Sequence, residues 1–409
     1  MRKKAYFKSV TIFLSILLVF SQLQLFSLPA YGETVSDQPL LFRSVGVAQN
    51  GTTYYVDGEG GNNANDGQSP ASAWRDFEKV NQTEFQPGDH LLLNAQSTWN
   101  NQLLHPKGNG TAAQKIVIDF YDTNDKGETI FETTRRPIIN GGGTYSTGTF
   151  KRAISGAVQL VNQEYWDISN LEVTNTPELD NLEGYKKPGD AQRAGILVLG
   201  YEQNRTFNSV TIRNNYVHDV QTEYYLNLSG NTATKRLKAV GGIIVLGSWF
   251  DENGNVVTAA NDHRTTTGFN DILIENNVIQ RVGLEGIRTK ADSDTSRGNT
   301  FYKTFSNITI RNNYLEDIAG DGIVLSEAKS GGVVEGNVAV RMCNADYGTQ
   351  NYAGVWAMSV DDGLFQYNEV YGIKYGFNDA EAYDVDMQSN NVIYQYNYSH
   401  HNTGGFLLL

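Results

Sequence analysis

Cysteine is almost absent from this chain: Cys343 stands alone among 409 residues, so no internal disulfide can form. A lone thiol of this kind reads as a small buried apolar side chain. No Cys/His spacing makes a zinc site. Basic residues are outnumbered by acidic ones, 32 to 45, for a formal net charge of −13. That sign disfavours nucleic acid and anionic lipid as partners. Helical periodicity is missing, and beyond residue 32 no run is long and apolar enough to span a bilayer.

The first 32 residues have a character of their own. "MRKK" is basic, "VTIFLSILLVF" is apolar, and "PAYG" supplies small residues before Glu33. This is the anatomy of a secretory signal peptide cut near Gly32. Residues 33–52 then read as a linker. The leader carries four basic residues (Arg2, Lys3, Lys4 and Lys8) and no acid, so its removal takes the net charge from −13 to −17. The expectation is a secreted, extracellular, monomeric protein without membrane attachment after cleavage.

What the chain has in abundance is repetition. From about residue 165 one phrase returns: "YWDISNLEVTN", "NSVTIRNNYVHDV", "NDILIENNVIQRV", "SNITIRNNYLEDI", "GGVVEGNVAVRM", "DGLFQYNEVYGI" and "NNVIYQYNYSHH". Each is a short alternating strand, an Asn, and a second β-rich run. The asparagines align as Asn170, Asn215, Asn277, Asn313, Asn337, Asn368 and Asn397. Between these phrases comes Gly followed by an alternating strand, as in "GGIIVLG", "DGIVLSE", "AGVWAMS" and "GGFLLL". Short strands, repeated without helices, predict an all-β solenoid in which stacked coils pair every backbone group. Stacked asparagines would then form an internal amide ladder.

These repeats resemble those of the right-handed parallel β-helix proteins of the pectate-lyase-like superfamily. The N-terminal stretch "YYVDGEGGNNANDGQSPASAWRDFEKVN", followed by "FQPGDHLLLNAQSTW", is similar to the opening segment of many secreted bacterial members. There a polar loop and a short helix cap the first coil. The resemblance implies a cap and first coils over 53–164 and β-helix coils over 165–409. It implies no single activity, because that superfamily holds lyases, hydrolases, epimerases, esterases and adhesins. "GGFLLL" ends on a core-type strand with no polar cap, which reads as truncation.

Aligning the Gly-strand phrases with the first residue after Gly pointing inward puts Ile287, Ile323, Val355, Tyr383 and Phe406 in the core. Arg288 and Lys290, Trp356, and Asp384 and Asp386 then point outward on one strip. Asp384 and Asp386 lie roughly 6.5–7 Å apart at the backbone, and their repulsion would push one pKa up and split acid from base. Paired carboxylates beside an aromatic platform suit glycoside hydrolysis of a polysaccharide. Asp361 and Asp362, in "VDDGLF", are second candidates, although Asp-Gly is first a turn signal. Trp356, Arg288, Lys290 and His400 are the substrate-binding candidates, and His218 shares a column with His400. No cofactor is expected for a hydrolase. A second reading is a Ca2+-dependent lyase with Arg288 or Lys290 as base and Asp292 and Asp294 as metal ligands. A third is a carbohydrate-binding or adhesive solenoid without catalysis.

Overall fold

The computed structural model describes residues 41–143, 154–176, 193–221, 240–248, 267–291, 302–344, 352–374 and 379–409. The leader read above, and Asp292 and Asp294, lie outside these residues. Almost every element is a short strand, and the strands fall into three long sheets of twelve, nine and eight strands. One coil shows the path. Phe305–Arg311 lies in the twelve-stranded sheet, Tyr314–Ile318 in the nine-stranded sheet and Ile323–Ser326 in the eight-stranded sheet. Each pairs in parallel with its counterpart one coil earlier. This is a parallel β-helix.

The turn between the first two sheets explains the repeated Asn. It takes two residues, the first of them left-handed: Asn214, Asn276 and Asn312 adopt φ of 56°, 56° and 54°. Asparagine tolerates that conformation better than most residues. The second residue is the ladder itself. The backbone N–H and Nδ2 of Asn215, Asn277, Asn313, Asn337 and Asn368 each donate to Oδ1 of the next asparagine, ending at Asn397, at 2.9–3.1 Å. Asn170 does not belong to it. It occupies the left-handed position, with φ of 61°, and Leu171 follows in the ladder place, its N–H donating to Asn215 Oδ1 at 3.0 Å.

A second left-handed column runs along the nine-stranded sheet and carries alternating charge. Arg281 grips Asp219 through Nε and Nη2, both at 2.7 Å, and Arg341 grips Asp317 at 2.7 and 2.9 Å. Such bidentate pairs offset part of the backbone strain at those positions. At the other end of the chain, the short helix Phe77–Gln82 is capped by Asp76 and buries Phe77 against Trp99 at 5.0 Å.

Inward positions of the eight-stranded sheet are apolar, and the register matches the alignment from Ile287 through Ile323 and Val355 to Tyr383. The last coil differs. Leu407, not Phe406, pairs with Tyr383, and Leu408 pairs with Asp384. Phe406 takes the place that Gly322, Gly354 and Ala382 hold in earlier coils: Tyr383 N–H donates to Phe406 O, which shifts the strand by one residue. Outward positions are also covered in the early coils, where Leu197, Leu199, Ile244 and Leu246 are buried. Charged side chains enter the column that runs from Leu197 and Ile244 only at Arg288.

Candidate active site

Strand pairing on the outer strip sets Arg288 beside Val324, Val324 beside Trp356, and Trp356 beside Asp384. At the end of this column a cavity of about 260 Å³ opens, lined by Tyr352, Ala353, Trp356, Asp379, Asp384, Val385, Asp386, Leu408 and Leu409. Asp384 sits on the strand Tyr383–Val385 and Asp386 immediately follows it. Asp386 N–H donates to Ala357 O at 2.8 Å, and its Oδ1 accepts from Met387 N–H at 2.6 Å. The Tyr394 hydroxyl donates to Asp384 O at 2.8 Å, which pins the backbone under the pair.

The electrostatics separate the roles of these carboxyls. Burial pushes Asp384 up to about 7, and the charges of Asp386, Asp379, Glu381 and Asp321 add to it. Repulsion from Asp386 therefore contributes as the sequence suggests, but desolvation leads. Among the described residues no lysine or arginine lines the cavity. Three carboxylates converging on one cavity disfavour anionic sugars and suit neutral ones.

Asp379 is the residue that the sequence reading missed. It precedes the strand and belongs to no repeated phrase. The available signal was acid density: Asp379, Glu381, Asp384 and Asp386 fall within eight residues.

The other candidates lie elsewhere. Arg288 points outward, as expected, but it is buried, 1% exposed, and its Nη1 donates to Glu285 Oε2 at 3.1 Å and to Asp321 Oδ2 at 3.5 Å. Burial alone would lower its pKa, but Glu285, Asp321 and Glu327 outweigh that and raise it. A guanidinium held protonated in this way cannot act as a base, and it does not line the cavity. Lys290 is half-buried near the interior carboxyl of Glu327, whose pKa burial raises against the opposing charge of Lys290. Asp361 accepts from Lys303 Nζ at 2.5 Å and Asn390 Nδ2 at 2.8 Å, and Asp362 accepts from Asn391 Nδ2 at 2.6 Å. Both are turn braces between coils, outside the cavity lining. His400 sits on the nine-stranded sheet, bonded to Glu369 at 3.0 Å and stacked on Tyr371 at 4.6 Å. It shares its column with His218, as read from the sequence, but not its sheet with Asp384. Among the described residues no cluster of three or more His, Cys, Asp or Glu side chains is arranged to hold a metal ion.

With this geometry in hand, the relatives are informative. No family model matches the sequence. Over 415 residues the chain is 28% identical to a lacto-N-biosidase of Bifidobacterium longum subsp. longum, an alignment covering 89% of this chain. The structure also superposes on the GH136 lacto-N-biosidase from Eubacterium ramulus. The TM-score is 0.65, with 26% identity, over 88% of this chain and 58% of that one. The native form of that enzyme gives the same TM-score at 25% identity. The chain is distantly similar to lacto-N-biosidases. It spans 25% of the length of the Bifidobacterium relative.

Proposed function

We propose that this chain is the β-helical part of a secreted glycoside hydrolase that cleaves a neutral glycan, releasing lacto-N-biose or a closely related disaccharide. The observation that carries the reading is the convergence of Asp379, Asp384 and Asp386 on one cavity, with Asp384 raised to about 7. A carboxyl in that range keeps its proton near neutrality and can give it to a leaving glycosidic oxygen. Asp386, two residues along, is the partner carboxylate that activates water or attacks the anomeric carbon. Asp379 faces the same cavity and is the second candidate for either part. Trp356, largely buried in the cavity lining, supplies an apolar wall against which a sugar ring packs.

The distant similarity to lacto-N-biosidases supports the reaction class and suggests the glycan. The lyase alternative is less well supported, because of its two candidate bases Arg288 is enclosed among carboxylates and Lys290 is half-buried, and neither lines the cavity. Secretion follows the leader in the sequence and is proposed on that basis. The test is a panel of neutral glycans, including an aryl lacto-N-bioside, and uronate polymers. Reducing ends from the neutral glycans with no absorbance near 230 nm would support hydrolysis. Chelator-sensitive absorbance on uronates would overturn it.

A further inference from the structure

Arg288 has no place in the chemistry above, yet it is among the largest fully buried side chains in the molecule. A buried charge is costly, and a chain that kept only packing in mind would place an apolar residue here. Its surroundings suggest a purpose. The Arg288 guanidinium carbon lies 5.4 Å from the centre of the Trp356 ring. In the strand column, however, Trp356 is two steps from Arg288, with Val324 between them, a backbone separation of about 9.6 Å. The two side chains therefore meet across Val324, so that the guanidinium backs the indole that lines the cavity. Val324, Ala353, Trp356 and Met358 form one buried apolar cluster at that crossing. Arg288 also reaches the cavity by a second route. Its partner Asp321 accepts the N–H of Ala353 at 2.8 Å, and Ala353 is part of the cavity wall.

We propose that Arg288 is a positioning residue: by cation–π attraction and through Asp321 it holds Trp356 and Ala353 back and so keeps the sugar cavity open over Asp384. Arg288 touches no substrate itself. A lysine would keep the charge without the planar face that stacks on an indole. The proposal rests on the hydrolase reading for its kinetic arm alone.

The experiment uses the whole protein labelled with 5-fluorotryptophan, with the Trp356 line assigned from Trp356→Phe. In Arg288→Met the Trp356 line should move and broaden while the other four tryptophan lines stay in place, with Arg288→Lys intermediate. Because the single change removes the buried positive charge that faces Glu285 and Asp321, the combination Arg288→Met, Glu285→Gln and Asp321→Asn is measured beside it and should give the same selective shift. On an aryl lacto-N-bioside, KM should rise about tenfold with kcat within about threefold, and the change should add nothing in a Trp356→Ala background. An unmoved Trp356 line in a folded variant would overturn the proposal. So would a change in every tryptophan line in both variants, since Arg288 would then serve only the fold. An unsubstituted protein silent on the glycoside would count against the hydrolase reading, and the fluorine spectrum, taken without substrate, would still decide this one.

Discussion

Replacing Asp384 with Asn should make the protein more stable at pH 8 while abolishing its activity. In the folded chain the carboxyl keeps its proton up to about pH 7, against 3.8 for an ordinary aspartate. Between those pH values the folded state holds a proton that the unfolded state has lost. The stability contributed by Asp384 is thus fully present below about pH 4 and is lost as pH rises through about 7. Taken whole, that displacement would be worth about 4 kcal/mol, and water in the open cavity screens it to about 1–2 kcal/mol. Asparagine fills the same space and cannot ionise, so the variant escapes the loss. Urea unfolding of wild type and Asp384→Asn at pH 4 and pH 8 checks this. The two should agree within error at pH 4, and the variant should lead by about 1–2 kcal/mol at pH 8. An equal difference at both pH values, or a less stable variant at pH 8, would refute the electrostatic argument. The activity of the wild type should decline as pH rises above about 7, as the proton donor empties.

The remaining expectations probe the scaffold. Asn313→Ala takes the acceptor from the buried N–H of Asn277 and from one of its two Nδ2 hydrogens, and should cost about 3 kcal/mol by denaturant unfolding, while a cost near zero would remove the ladder from the account. Burial opposes protonation of His218, but its hydrogen bonds to Asp219 and Glu172 prevail and hold its pKa above 6.5. Its contribution to stability is complete below pH 6.5 and fades as pH rises through the raised value, so His218→Gln should flatten the fall in melting temperature above neutrality. His400→Ala should leave KM and kcat within about twofold, because its ring stacks on Tyr371 and Tyr398 on another sheet. A tenfold rise in KM there would place substrate on the wrong face of the helix.

The sequence made the solenoid legible because its punctuation is periodic. An Asn pair sits where the chain needs a left-handed residue and then an amide donor, and that requirement recurs in every coil from Asn214 to Asn312. Where the requirement is met by other residues the pattern blurs. Gly336, Tyr367 and Tyr396 take the left-handed place in later coils, and Leu171 takes the ladder place in an earlier one. Register was readable where the inward residue directly follows the glycine, as Ile243 follows Gly242, and slipped where Phe406 stands between Gly405 and Leu407.

The site was only half legible. Alternation put Asp384 outward beside Trp356, but alternation cannot say whether an outward position is covered, and Arg288 proved to be enclosed. Asp379 belongs to the segment before the strand, and its place in the cavity depends on how that segment packs, which no periodicity encodes.

The most direct test of the account is hydrolysis of an aryl lacto-N-bioside by the wild-type protein and by Asp379→Asn, Asp384→Asn and Asp386→Asn. The account expects turnover in the wild type, a loss of about a thousandfold or more in Asp384→Asn and Asp386→Asn, and unfolding transitions no lower than that of the wild type at pH 8. Undiminished turnover in Asp384→Asn and Asp386→Asn would contradict it, because the cavity at the end of the strip would then not be where the glycosidic bond is broken.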